Sequence, residues 1–228
     1  MTTKSTTASA AKAKKSTSSL NGELRVYLMV DDLQPQFAAY LGTPTRARGY
    51  PPLAGQHALI IEVAPGLMIE RIIDLALKAD PALEPGILFV ERQFGILEIH
   101  GSDKSQLERA GQVILDAMGC DANDQLKPKI LFSDVIEDVS DQHAVIINRT
   151  RQASMLLPGE TLLVCEMMPA LFAAIAANES EKIAPNLTLV DVQMIGAAGR
   201  IYMSGKTQDV IAAREAMEKT LRAIEGRQ

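Results

Sequence analysis

Residues 53–67, LAGQHALIIEVAPGL, lie over residues 157–171, LPGETLLVCEMMPAL, at a shift of 104 positions. The register holds without a gap from 53–118 onto 157–222. Within it Leu53/Leu157, Gly55/Gly159, Leu59/Leu163, Glu62/Glu166, Pro65/Pro169 and Leu67/Leu171 coincide, and Lys78/Lys182, Pro81/Pro185, Leu83/Leu187, Gly95/Gly199 and Gly101/Gly205 follow. Upstream, DLQPQFAAYL (32–41) lies over DVSDQHAVII (138–147) at a shift of 106. Eleven identities in one ungapped register mark an internal duplication. The two copies are expected at 23–120 and 127–228, joined by the polar, turn-prone stretch Gly119–Asp124.

Each copy carries one order of hydrophobic periods. Leu24–Val30 reads as a strand and Pro35–Leu41 as a short helix. His57–Val63 is an apolar run bounded by turn signals, a buried strand. Pro65–Ala79 reads as a helix with Leu67, Ile72, Ile73 and Ala76 on its inner face. Two strands with a Gly-marked connection follow, at Ile87–Val90 and Ile96–His100. Asp103–Met118 is an amphipathic helix, with Asp103 as N-cap and Leu107, Ala110, Ile114 and Met118 inward. In the second copy Val210, Ala213, Met217, Leu221 and Ile224 form the matching stripe. The fold class expected is α+β, two tandem domains, each a mostly antiparallel sheet with helices on one side.

Composition bounds the function. Of the 228 residues 47% are hydrophobic, enough for packed cores, while aromatics are only 4% with no Trp, and net charge is −5. That argues against base-stacking modules and polyanion binding, so no nucleic-acid partner is expected. No apolar run approaches a membrane span of roughly 18 residues. Residues 1–22, rich in Ser, Thr, Ala and Lys, lack the apolar core of a secretory leader and read as a disordered arm. A cytoplasmic protein is expected.

No catalytic constellation is visible. Ser204-Gly205-Lys206-Thr207 resembles the end of a phosphate-binding loop, but Arg200 stands where the earlier Gly is required. His57, His100 and His143 have no partners at metal-ligand spacing, so no metal, cofactor or enzymatic activity is expected. Cys165 reads as a core residue and Cys120 as an exposed linker thiol. The copies differ most at the connection between the last two strands: Glu91-Arg92-Gln93-Phe94-Gly95 in the first, Ile195-Gly196-Ala197-Ala198-Gly199 in the second.

The second copy, LLVCEMMPALFAAIAANESEKIAPNLTLVDVQMIGAAGRIYMSG with its following helix, resembles the bacterial microcompartment (BMC) shell domain. The whole chain from about residue 23 is similar to the tandem-domain, trimer-forming shell proteins, nearest the carboxysomal D-type. The likeness is carried by Leu24–Tyr27, Asp32–Gln36, Val63–Gly66, Leu75–Ala79, Val90–Arg92, Ile147–Arg149 and Met155–Gly159. The resemblance implies two circularly permuted BMC domains per chain and a homotrimer that forms a pseudohexamer, possible stacking of two trimers, and tiling with hexameric shell proteins around Rubisco and carbonic anhydrase. It also implies a large central pore gated by Glu91 and Arg92, with residues 93–95 and 195–199 in the pore loops. Phosphorylated metabolites such as ribulose bisphosphate or phosphoglycerate would pass it. Lys78 and Lys182 fall where the family carries its edge lysine, between neighbouring hexagons.

Overall fold

The computed structural model describes residues 20–43 and 49–228. Most of the expected N-terminal arm, residues 1–19, therefore lies outside the described residues. The first copy runs β1 (Glu23–Val30), α1 (Pro35–Leu41), β2 (His57–Ala64), α2 (Met68–Ala79), β3 (Glu84–Val90), β4 (Gly95–Gly101) and α3 (Lys104–Met118). The second repeats it as β5 (Lys129–Ile136), α4 (Asp141–Thr150), β6 (Thr161–Met168), α5 (Phe172–Ile183), β7 (Thr188–Gln193), β8 (Gly199–Gly205) and α6 (Thr207–Ala223). Two four-stranded sheets result, ordered β1-β2-β4-β3 and β5-β6-β8-β7, with every pairing antiparallel.

The helices do not share one side of the sheet, as the sequence reading expected. Alternation along β2 sends Leu59, Ile61 and Val63 to the α2 and α3 face, and Ala58 and Ile60 to the α1 face. Both faces of the first sheet are thus covered, which is why β2 reads as an unbroken apolar run. The helix expected from Pro65 begins at Met68. Leu67, expected inside, is 74% exposed, and Ile69, Ile72 and Ala76 form the buried stripe instead. Asp103 caps α3 as expected, its carboxylate accepting the Ser105 N–H.

The copies are bound by a seam that repeat arithmetic alone did not reveal. Seven-residue α1 is too short to hold itself, and its N-cap Gln34 makes no side-chain cap bond. Its leading N–H groups are satisfied instead by α5. Asn178 Oδ1 accepts from Gln34 N, and the two oxygens of Glu181 accept from Gln36 N and Phe37 N at 2.9 and 3.0 Å. The Gln36 amide bridges Leu187 O, just before β7, and Leu189 N within it, and the Tyr40 hydroxyl donates to Val192 O. One hydrophobic cluster consequently runs from Phe37 and Tyr40 into Phe172, Ile175 and Leu189.

Nor is the linker a loose joint. Gln125 is buried and accepts the Tyr27 N–H, Leu126 N donates to Arg25 O, and residues 125–127 pair with the C-terminal segment at Arg227. Cys165 is buried and its thiol is pushed up to about 12, by burial first. Cys120 is half-buried rather than exposed.

Candidate functional site

The two strand–strand connections lie at matching ends of the two sheets, where β2 and β6 finish and β4 and β8 begin. Their bases are set by close backbone approach. A Cβ on Gly95 would sit 2.2 Å from the Gly66 carbonyl, and one on Gly199 would sit 2.2 Å from the Ala170 carbonyl. The repeat identity Gly95/Gly199 is therefore steric.

In the first connection Glu91 N donates to Phe94 O at 2.8 Å, closing a tight turn. Arg92 and Gln93 are exposed, Glu91 is half-buried, and Phe94 is only 8% exposed. Phe94 and Gly95 are buried and anchor the loop. Among the described residues no ion pair engages Glu91 or Arg92, so the adjacent charges are not joined to each other within the chain. The second connection presents Ile195, Gly196, Ala197 and Ala198, with Gly196 at φ 133°, where an L side chain would be strained.

The two lysines expected at an edge are separated by the structure. Lys78 is 71% exposed on α2 and pairs with Asp74 at 2.7 Å. Its ammonium, with Arg71 beside it, holds the Asp74 carboxyl below the ordinary carboxylate range. Lys182 is 26% exposed and sits in the seam between copies, donating to Asp31 O and to Glu179 Oε1 at 2.8 Å. Lys182 therefore spends two of its three ammonium donors inside the chain, whereas Lys78 keeps its ammonium at the surface. Lys182→Ala should cost about 1 kcal/mol of stability through the lost seam bonds. Lys78→Ala should stay within about 0.5 kcal/mol. Parallel thermal melts of the two variants check this difference.

The Ser204–Thr207 segment ends β8 and opens α6 beside a groove of about 760 Å³. Glu160 and Asp209 line it, Glu160 takes the Ser204 hydroxyl, and Thr207 bonds Thr161. Carboxylates in that position disfavour a phosphate. His100 is fully buried between Glu98 and Glu84, and no group of three or more His, Cys, Asp or Glu side chains able to hold a metal occurs among the described residues. No helix there is long and apolar enough to cross a membrane.

Sequence and structural comparisons agree with this architecture. The CsoS1D N-terminal domain family matches residues 24–124. The chain is 42% identical over 206 residues to the carboxysome shell protein CcmP of Synechococcus elongatus, covering 90% of this chain and 95% of that one. It is 40% identical to carboxysome shell protein CsoS1D of Hydrogenovibrio crunogenus, covering 89% and 97%. Among solved structures, a double-ringed trimeric shell protein from the RMM microcompartment is 61% identical, with TM-score 0.87 and coverage of 91% and 99%. A fused permuted hexameric shell protein from the same compartment is 46% identical, with TM-score 0.85 and coverage of 90% and 100%.

Proposed function

The chain belongs to the tandem-domain carboxysome shell proteins typified by CsoS1D and CcmP, and on that premise we propose that three copies close a six-domain ring whose central opening is gated by Glu91 and Arg92. Its role is structural, in a microcompartment shell. Residues 23–120 and 127–228 are read as the two ring positions, and the double-ringed relative supports stacking of two such rings.

The seam supports ring closure. One head-to-tail contact, α1 on α5, is already made inside the chain, while on the matching face of α4 Ile146, the counterpart of Tyr40, stays exposed. A heterologous contact that repeats with closure generates a ring. The neighbour's α2, whose counterpart α5 is almost wholly covered, is the surface left to receive α4. Lys78 would then take on the neighbour's α4 entry the role Lys182 has on α1.

The observation that carries the gate is the pair of loops. One presents charges without partners among the described residues, and the other presents small residues that leave space for long side chains to move. Arg suits phosphate oxygens through its planar fork. Three arginines about 8 Å apart around one axis repel by roughly 0.5–2 kcal/mol per pair. Pairing with a neighbour's Glu91 relieves that repulsion, so two loop states of similar energy follow, and an anion that prefers one state shifts the balance. Glu91→Ala should admit phosphate esters faster, and Arg92→Ala should slow them. Flux of 3-phosphoglycerate through the two variants at one salt concentration tests this; equal flux in both and in the parent refutes the gate.

The curated relatives place the shell around a carboxysome, with carbon dioxide fixation as its context. A second reading, a shell of the RMM kind, is favoured by the 61% identity of the double-ringed trimer. Mass spectrometry of shells captured through this chain separates them, since only carboxysomes carry Rubisco.

A further inference from the structure

Glu62 and Glu166 occupy one repeat position, three residues before the paired prolines Pro65 and Pro169. Each holds an arginine that reaches a pore loop, but the arginines come from opposite neighbouring strands. In the first copy β1 bulges between Leu24 and Val26. A bulge re-aims its extra residue, here Arg25, whose Nε donates to Glu62 Oε1 at 2.7 Å. The guanidinium lies 4.9 Å from the centre of the Phe94 ring. Phe94 in turn closes the Glu91 turn through its carbonyl. Glu62 is fully buried, and its Oε2 has no hydrogen-bond partner.

In the second copy the bulge persists between Ile130 and Phe132, but the residue at that place is Leu131. Arg200 of β8 supplies the cation instead, donating through Nε and Nη2 to Glu166 Oε1 at 3.0 and 2.8 Å. Its Nη1 donates to Gln193 Oε1 at 3.2 Å, and Gln193 is the last residue of β7 before the second loop. The first loop is gripped at its exit, the second at its entry.

We propose that Arg25 and Arg200, each fixed by its repeat glutamate, are the positioning residues of the two pore loops, Arg25 through the Phe94 ring and Arg200 through the Gln193 amide. This rests on the reading of those loops as the pore. Burial raises the Glu62 pKa, and the hydrogen bond and charge of Arg25 oppose the rise. An arginine so held has one orientation, and its face sets the Phe94 ring and hence the base of the Glu91–Arg92 turn.

The test uses the full-length assembled protein with Arg25→Lys and Arg200→Lys, which keep a cation beside each glutamate and so keep the fold. Cryo-electron microscopy should show loop 91–94 spread over several conformers in Arg25→Lys while 195–198 stays as in the parent, and the reverse in Arg200→Lys. The ratio of loop conformers should move roughly 2- to 5-fold, the range a lost guanidinium–ring contact supplies. Inorganic phosphate flux should change with it in Arg25→Lys. Unchanged loops in both variants overturn the proposal, as does equal disturbance of both loops with a lowered melting temperature. The parent map reports separately on the premise: loops that do not meet at the ring axis defeat the pore reading, whether or not each arginine controls its loop.

Discussion

Ile146→Asp should yield a folded monomer that cannot close a ring. Ile146 occupies the repeat position of Tyr40, and the two are opposites in exposure: Tyr40 is buried in the seam inside the chain, Ile146 is 64% exposed. Because Ile146 touches solvent in the isolated chain, the monomer should lose no more than about 0.5 kcal/mol. In the proposed ring the same side chain would enter an apolar seam. Losing its burial costs about 1.5–3 kcal/mol per seam, and placing an unpaired carboxylate there adds several more. At about 1.4 kcal/mol per tenfold, association weakens by three orders of magnitude or more per contact. Light scattering should read a single-chain mass with an unchanged melting curve. Tyr40→Asp is the internal control: the identical change in the other copy should unfold the protein itself. A trimer that survives Ile146→Asp shows that α4 is not the closing surface.

Why one seam is internal and the other waits for a partner is partly written in the residues. Glu181 caps α1 from across the seam, whereas its repeat counterpart Leu77 has no such ability. The deficit is met at the other end. Where α1 is preceded by Gln34, which caps nothing, α4 is preceded by Ser140, whose hydroxyl accepts the His143 N–H. A helix that must stand alone before assembly carries its own cap; one that is always covered borrows it. Periodicity and register made the strands, the six helices and the duplication legible, because those depend on local pattern. The face on which α1 packs was not legible: seven residues bury Phe37, Ala38, Tyr40 and Leu41 and carry too little period to define a side. The start of α2 was missed for a similar reason, since Pro65 and Leu67 look like a first turn although the chain enters helix only at Met68. At the site, the divergence of the two loops was visible in the alignment of the copies. The Arg25–Phe94 and Arg200–Gln193 contacts were not, because one arginine is aimed by a bulge and the other comes from the opposite strand.

His100→Leu should be among the most destabilising single changes in the first copy, and its cost should depend on pH. His100 and Glu98 are both fully buried on β4, with His100 Nδ1 3.0 Å from Glu98 Oε1 and Glu84 3.6 Å from the far ring nitrogen. Glu98 Oε2 fills the space that a Cβ on Gly86 would need, so the carboxylate cannot be moved toward solvent cheaply. Burial raises the Glu98 pKa; the His100 hydrogen bond and charge, and then the Gly86 and Ile87 backbone N–H groups, oppose the rise. Removing His100 strands a buried carboxylate, a loss of about 3–5 kcal/mol at neutral pH. A carboxyl whose folded pKa is raised keeps its proton in the folded state when the unfolded chain has lost it. Its contribution is therefore full below the ordinary carboxylate range and drains as pH rises through the folded value. The penalty of His100→Leu should accordingly shrink as pH falls and Glu98 takes up a proton, toward the about 1–2 kcal/mol of the missing hydrogen bond alone. Adding Glu98→Met should recover part of the loss at neutral pH, since it removes the stranded carboxylate while the Gly86 and Ile87 N–H groups lose an acceptor; the second copy already does without the pair, with Tyr202 and Ser204 at these positions. Urea unfolding at pH 5 and 7.5 in the Ile146→Asp background keeps ring assembly out of the measurement. A single variant equally weakened at both pH values, or a double variant no better than the single, shows that the stranded charge is not the cause.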